Sequence, residues 1–214
     1  MAYGFLDRLT GPGVIDAQEK HGSRRAYANP KPGREFDRFT ENEAHFITAR
    51  DSFYIASISE TGWPYVQHRG GPPGFLKVLD PQTLAFADFS GNRQYITLGN
   101  TGANNRVALF LMDYAHRARL KVLARLEVRN LDDDENLAQH LMKPGYRAKA
   151  ERIMVMKLET FDWNCPQHIT PRFTANELEE TLGPIRAEYA ALEAENRALR
   201  AQLAEYAKAG NHNR

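Results

Sequence analysis

Gly62-Trp63-Pro64-Tyr65, then Arg69-Gly70-Gly71-Pro72-Pro73-Gly74, then Gly91-Asn92-Arg93-Gln94 and Asn105-Arg106 form the stretch that decides the fold. Within it, the strand-forming segments Phe75–Leu79 and Leu84–Phe89 flank Asp80-Pro81-Gln82-Thr83, a pattern that predicts a hairpin. Ser90-Gly91-Asn92-Arg93-Gln94 follows and predicts a loop opening a short helix at Tyr95–Leu98. Small residues let a backbone come close to a ligand, and a helix N-terminus offers unpaired N–H groups. With Arg69, Lys77 and Arg93 added, the stretch holds the parts of an anion site, a cofactor phosphate being the expected anion. The plainer reading is solvated surface charge beside Gly-Pro loops. Spacing does not separate the two, because no motif here is as specific as a Walker loop.

Outward from this stretch, short strands alternate with turns. Toward the N-terminus, Ser52–Ser59 is apolar on both faces, which predicts a buried strand, and Glu60-Thr61-Gly62 turns it into a strand at Trp63–His68. Thr40-Glu41-Asn42-Glu43 is a capping box that starts a helix running to about Ala49. Residues 10–28 begin as a helix with Pro12 in its first turn, and Asn29-Pro30-Lys31-Pro32-Gly33 breaks the regularity. Toward the C-terminus, Arg106–Tyr114 and Arg119–Arg129 predict two long strands around a loop at 115–118. A helix with acids at its start (Asp132, Asp133, Asp134, Glu135) follows, ending near Met142, and Arg152–Phe161 is the last strand. Six or more strands joined mostly as hairpins predict an antiparallel barrel with short helices.

Composition narrows the function classes. The chain of 214 residues has 28 Lys and Arg against 27 Asp and Glu, so no basic excess argues for nucleic acid. No apolar run approaches the ~20 residues that span a bilayer, and the start of the chain lacks the apolar core of a signal peptide. The single cysteine, Cys165, excludes an intrachain disulfide and fits a reducing compartment, with cytoplasm the default. His68 and His168 lack a third ligand at metal-binding spacing, so no metal is expected. No Ser-His-Asp set stands out, and no catalytic residue is assigned.

Two blocks carry a resemblance. The first is Pro64-Tyr65, Phe75-Leu76-Lys77, Asn92-Arg93-Gln94 and Asn105-Arg106-Val107-Ala108-Leu109. The second is Trp163-Asn164-Cys165-Pro166-Gln167-His168-Ile169. Together, over roughly residues 40–172, the chain resembles the pyridoxamine 5′-phosphate oxidase-like family of FMN-binding split barrels, in a bacterial branch distinct from the true oxidases. The resemblance implies a homodimer with FMN in a groove between subunits and its phosphate held by basic residues of one chain. It places His68, Arg69 and Lys77 at the cofactor, with Asp88 and Ser90 at the end of the second hairpin strand. Asn92, Arg93 and Gln94 stand where the family has Ser-Arg-Lys, leaving Arg93 as the cation there, and the register of Arg69 is open because 70–74 looks inserted. Arg119 falls where the family has a flavin-contacting glutamine, and a guanidinium there would stabilise reduced flavin. Trp163 is expected to flank the flavin ring, with Gln167 and His168 facing flavin or substrate. His168 as an ordinary loop histidine and Cys165 as packing rather than a redox thiol are the plain alternatives. The true oxidase's Arg-x-His element is not visible, so weak or no pyridoxamine phosphate oxidation is expected. What the resemblance implies is FMN-dependent hydride or electron transfer on a small-molecule substrate or electron donor. A flavin carrier or sensor without turnover is the alternative.

From Leu182 to Tyr206 the pattern changes. Leu182, Tyr189, Asn196 and Leu203 at a, with Ile185, Leu192, Leu199 and Tyr206 at d, form about three and a half heptads. Asn at a beside Leu at d predicts a two-stranded parallel coiled coil, with Pro184 in the first turn of its helix; an amphipathic helix lying on its own barrel is the alternative. The domain organisation is then an N-terminal helical extension (1–39), a split-barrel domain (40–172) and a C-terminal helix (173–214).

Overall fold

Seven strands hydrogen-bond into one antiparallel sheet: β1 (Ser52–Ile58), β2 (Pro64–Gly70), β3 (Lys77–Asp80), β4 (Thr83–Phe89), β5 (Arg106–Asp113), β6 (Ala118–Arg129) and β7 (Ala150–Trp163). Their order across the sheet is β2-β1-β5-β6-β7-β4-β3. The computed structural model describes residues 4–28, 36–163 and 166–211; Asn29–Gly33 and the pair Asn164-Cys165 lie outside the described residues. The chain divides into two units, Met1–Ile169 and Thr170–Arg214. No described helix is long and apolar enough to cross a membrane.

The sheet curls because one of its faces is apolar along every central strand. β1 and β4 are four strands apart in the sheet order, yet the Phe53 ring meets Phe86 edge-on with centroids 5.3 Å apart. Phe53, Ile55, Phe86, Leu109, Leu111, Leu120, Val122, Met154, Met156 and Phe161 share this inner core. The edge strands β2 and β3 share no ladder, so the barrel is split rather than closed. A second, smaller core lies on the opposite face, where Ala85, Ala87, Ile153 and Val155 pack against Ala138 and Leu141, the latter two on α6 (Glu135–Leu141).

The turn at 70–74 shows what its glycines do. A Cβ on Gly71 would lie 2.6 Å from Cγ of Phe75, and Gly74 has φ +80°. The Gly71 amide donates to Asp51 and the Gly74 amide to Arg50. These small residues therefore let the turn seat Phe75 and Leu76 in the core rather than admit a ligand.

Two expectations change. β1 is buried on one face only: Phe53, Ile55 and Ser57 point inward, while Tyr54 and Ile58 are 40 % and 42 % exposed. The opposite faces of β4 and β7 receive α6, whereas Tyr54 and Ile58 stand exposed on the outer side of β1. The C-terminal helix, α7, begins at Ala175 and runs to Asn211, which places Pro184 inside it rather than in its first turn. The reason is a capping box that precedes the heptads: Thr174 Oγ1 accepts from the Glu177 amide, and the Glu177 carboxylate accepts from the Thr174 amide.

The capping box at Thr40–Glu43 forms and does more than cap. α4 (Glu41–Thr48) starts there, with the Glu43 carboxylate accepting from the Thr40 amide at 3.0 Å and from the Thr40 hydroxyl. Its other oxygen accepts from the Trp163 indole N–H at 2.6 Å, tying α4 to the end of β7. Burial pushes the Glu43 pKa up, but the hydrogen bonds from Thr40 and Trp163 outweigh it and hold the carboxyl below its ordinary 4.5. A carboxyl with a lowered folded-state pKa contributes stability that is present above the ordinary value and lost as pH falls through the folded one. Glu43→Gln should therefore cost about 1 kcal/mol at neutral pH. That corresponds to a fall of roughly 2–4 °C in Tm for a chain of this size. Thermal unfolding across pH checks this: the gap between parent and variant should narrow below pH 4.5.

Candidate functional site

β4 delivers Asp88 to the inner face of the curled sheet, where two guanidiniums from distant strands converge on it. Arg69 of β2 donates to one carboxylate oxygen and Arg152 of β7 donates to the other at 3.0 Å. Asp88 is only 5 % exposed. Burial is the largest influence on its carboxyl and raises the pKa above the ordinary aspartate value, with Arg69 and Arg152 pulling against it. Arg152 also holds Glu151 at 2.6 Å and stacks its guanidinium over the Tyr95 ring at 4.9 Å.

The loop after β4 completes the wall. The Ser90 amide donates to the Lys149 carbonyl, pinning the loop to the start of β7. Arg93 and Tyr95 both take left-handed backbone conformations, φ 59° and 53°, which turn the chain into α5 (Ile96–Ala103). The Asn92 side chain accepts from the Gln94 amide at 3.2 Å, and Arg93 Nε donates to the Tyr95 hydroxyl at 3.0 Å. That hydroxyl raises the Arg93 pKa further, so its charge is fixed. Thr97 on the first turn of α5 donates to Gln67 Oε1 of β2 at 2.9 Å.

Between these groups lies a pocket of about 160 Å³, lined by Arg69, Asp88, Asn92, Arg93, Arg152 and the first turn of α5 at Ile96–Leu98. First-turn N–H groups have no partner within their helix. The Nε of Arg69 is buried with no hydrogen-bond partner among the described residues. A buried, unsatisfied donor on a cation costs free energy until an acceptor reaches it. Three guanidiniums against the carboxylates of Asp88 and Glu151 leave a net positive lining. The donor set therefore suits a small anion, and the volume suits a phosphate group rather than a whole nucleotide.

Of the residues expected at the site, Arg69, Asp88, Asn92 and Arg93 line this pocket. Ser90 anchors its loop, and Gln94 pairs with Asn92 at the rim. The others stand elsewhere. His68 alternates with Arg69 on β2, so it faces the opposite side and packs its ring on Tyr54 at 5.5 Å. Lys77 pairs with Ala85 in register and shares the face of the second core rather than that of Asp88. Arg119 on β6 lies over the Phe110 ring at 5.6 Å, and its Nε is also buried without a partner among the described residues. Trp163 packs edge-on against Phe46 at 4.7 Å with its indole N–H committed to Glu43. Gln167 and His168 are exposed, His168 with φ 63°. Sequence reasoning missed Gln67, Tyr95, Thr97, Glu151 and Arg152. Strand alternation is the signal that would have placed Gln67 beside Arg69, whereas nothing local marks Arg152, which meets Asp88 only through the β4–β7 register.

The chain belongs to the pyridoxamine 5′-phosphate oxidase family, whose model matches residues 39–162, more than half of the sequence. No curated protein matches it. Among solved structures it is similar to a pyridoxamine 5′-phosphate oxidase candidate from Lactobacillus delbrueckii, at 23 % identity over 59 % of this chain and 94 % of that one, TM-score 0.46. It is also similar to an FMN-binding protein from Syntrophomonas wolfei, at 12 % identity over 72 % and 98 %, TM-score 0.45. An F420 reductase is a third, at 19 % identity over 58 % and 98 %, TM-score 0.43.

The clamp on Asp88 is testable without any ligand. Asp88→Asn leaves two buried guanidiniums facing an uncharged partner and should cost about 3 kcal/mol in denaturant unfolding. Arg93→Ala, on the exposed loop, should stay within about 0.5 kcal/mol of the parent.

Proposed function

We propose that this protein binds FMN, with the cofactor phosphate seated in the pocket between β2, β4, β7 and the start of α5. The observation that carries the reading is the Nε of Arg69, without a partner among the described residues and buried in the lining of a phosphate-sized pocket within the family's matching region. Arg69 and Arg93 supply charge-assisted hydrogen bonds to phosphate oxygens, and the first-turn amides of α5 supply neutral ones. Asp88 holds Arg69 and Arg152 in position rather than touching the anion, which it would repel. Bound FMN would supply hydride or electron acceptance for a small-molecule substrate or electron donor, making the protein an oxidoreductase, and Cys165 as the lone thiol fits a reducing cytoplasm.

The pocket accommodates the phosphate alone, so the flavin ring must lie on surface outside it. We take that surface to come partly from a second copy of the chain. Tyr54, Ile58 and Val66, the last 60 % exposed, form an open apolar sheet face of the kind that subunit contact covers. Arg119, whose buried Nε has no partner among the described residues, alternates onto that same outer face of β6, away from inward-pointing Leu120 and Val122.

A carrier or sensor without turnover remains the second reading, and one observation favours it. Asp88 and Glu151, the carboxylates lining the pocket, are both engaged by Arg152. Neither is free for proton transfer.

Titration of the purified protein with FMN and with riboflavin, followed by flavin fluorescence and absorbance, tests the phosphate reading. Charge-assisted hydrogen bonds are worth about 1.5–3 kcal/mol, so FMN should bind roughly ten- to a hundredfold tighter than riboflavin. Arg69→Gln should remove most of that difference. Equal affinity for the two flavins, or none for either, overturns the assignment. Anaerobic addition of NADH or NADPH then separates the two readings: bleaching of the flavin bands with repeated turnover marks the oxidoreductase, and persistent bands mark the carrier.

A further inference from the structure

The exposed stripe on α7 has no role in the site described above, and it is built to meet a copy of itself. α7 is a continuous helix of 37 residues, about 55 Å long at ~1.5 Å per residue. Ile185, Tyr189, Leu192, Leu199 and Leu203 are between 51 % and 67 % exposed. They occupy successive a and d positions of one heptad frame, interrupted only by Asn196 at a. A stripe this narrow, flanked by Glu, Arg and Gln, matches a coiled-coil seam more closely than the broader apolar face of a helix that packs on a globular core. The helix starts earlier than the heptads, so Leu178 at d, also exposed, extends the stripe by a turn. Pro184 interrupts the helical hydrogen bonds but sits at c, on the outer side, so it does not enter the seam.

We propose that α7 pairs with α7 of a second copy of this chain as a parallel, in-register, two-stranded coiled coil. Asn196 carries the orientation. In the parallel register its amide meets the partner's Asn196 and each satisfies the other. In an antiparallel pair, a positions face d positions, so the amide would be buried against an apolar side chain without a partner. Charge agrees at one step and disagrees weakly at another. Glu195 at g faces the partner's Arg200 at e, and Glu188 faces the partner's Glu193, whose charge is relieved by Arg197 at 4.0 Å in the same helix. Leu at d beside Asn at a selects two strands over three or four.

The orientation has a consequence for the whole protein. Parallel pairing brings the two α7 starts, at Ala175, to the same end of the coil, about 10 Å apart. Two copies of the N-terminal unit are then tethered at high effective concentration, so a weak contact between their sheet faces is held together at dilutions where it would dissociate alone. The pairing of α7 does not depend on flavin, and its test is independent of flavin binding.

The test is disulfide trapping in the full-length chain, in a Cys165→Ser background so that the introduced thiol is the only one. Leu199→Cys, at d, should link to itself and run as a dimer on a non-reducing gel after mild oxidation. Adding Leu192→Asp and Leu203→Asp, at exposed positions, should abolish the link. Monomer throughout, or a link that survives both aspartates, overturns the coiled coil. Failure of Leu199→Cys to link to itself, while Ile185→Cys chains link to Asn196→Cys chains in a mixture, overturns the parallel register. Sedimentation of Asn196→Leu gives a second readout: the parent should remain a dimer over a hundredfold dilution, and the variant should populate higher oligomers.

Discussion

The structure depends on a sheet with one continuous apolar face, which can leave water only by curling until its distant strands touch. Phe53 and Phe86 mark the contact: four strands apart in hydrogen-bonding order, they lie within one core. Each buried aromatic side chain contributes of the order of 2–3 kcal/mol by area, so the curl follows from burial rather than from any turn. The split follows too, because β2 and β3 share no ladder and the gap between the ends of the sheet is bridged by side chains. Arg69 of β2 reaching Asp88 of β4 is the polar counterpart of Phe53 reaching Phe86.

That polar bridge explains why the pocket lies where it does. At the inner end of β4 the apolar run stops and Asp88 takes its place, buried and held from both sides by guanidiniums. Asp88 and Glu151 offset Arg69 and Arg152, so Arg93 gives the lining its net positive charge, and Arg69 Nε is buried with no acceptor among the described residues. The left-handed residues Arg93 and Tyr95 then swing α5 so that its first turn closes the same space. Core, clamp and loop converge on that one pocket. Trp163, whose indole N–H goes to Glu43, and the exposed His168 do not line this pocket.

The two faces of the sheet are treated unequally. Around β4 and β7 both faces are covered, one by the inner core and one by α6. Around β1 and β2 the inner face is covered, while Tyr54, Ile58 and Val66 on the other face are exposed among the described residues. α7 repeats the asymmetry in helical form, with a seam of apolar side chains exposed along its length.

Local chemistry was legible in the sequence wherever neighbours in the chain decide the outcome. The Thr40–Glu43 capping box, the turn at Asp80–Thr83 and the helical character of the C-terminal segment all rest on interactions within a few residues, and the structure carries each of them, whereas β2, β3 and β7 begin or end up to two residues from the expected bounds. The capping box at Thr174, equally local, starts α7 well before the heptads, so Pro184 lies inside the helix and not in its first turn. The sequence alone also determined the family, since its motifs sit in the order and spacing the barrel imposes. Only the tertiary structure decided that Arg152 joins Arg69 at Asp88 and that Lys77 and Arg119 face elsewhere. Those outcomes depend on strand register and on the curl of the sheet. A shift of one residue in register exchanges the two faces, and no short-range preference along the chain fixes it.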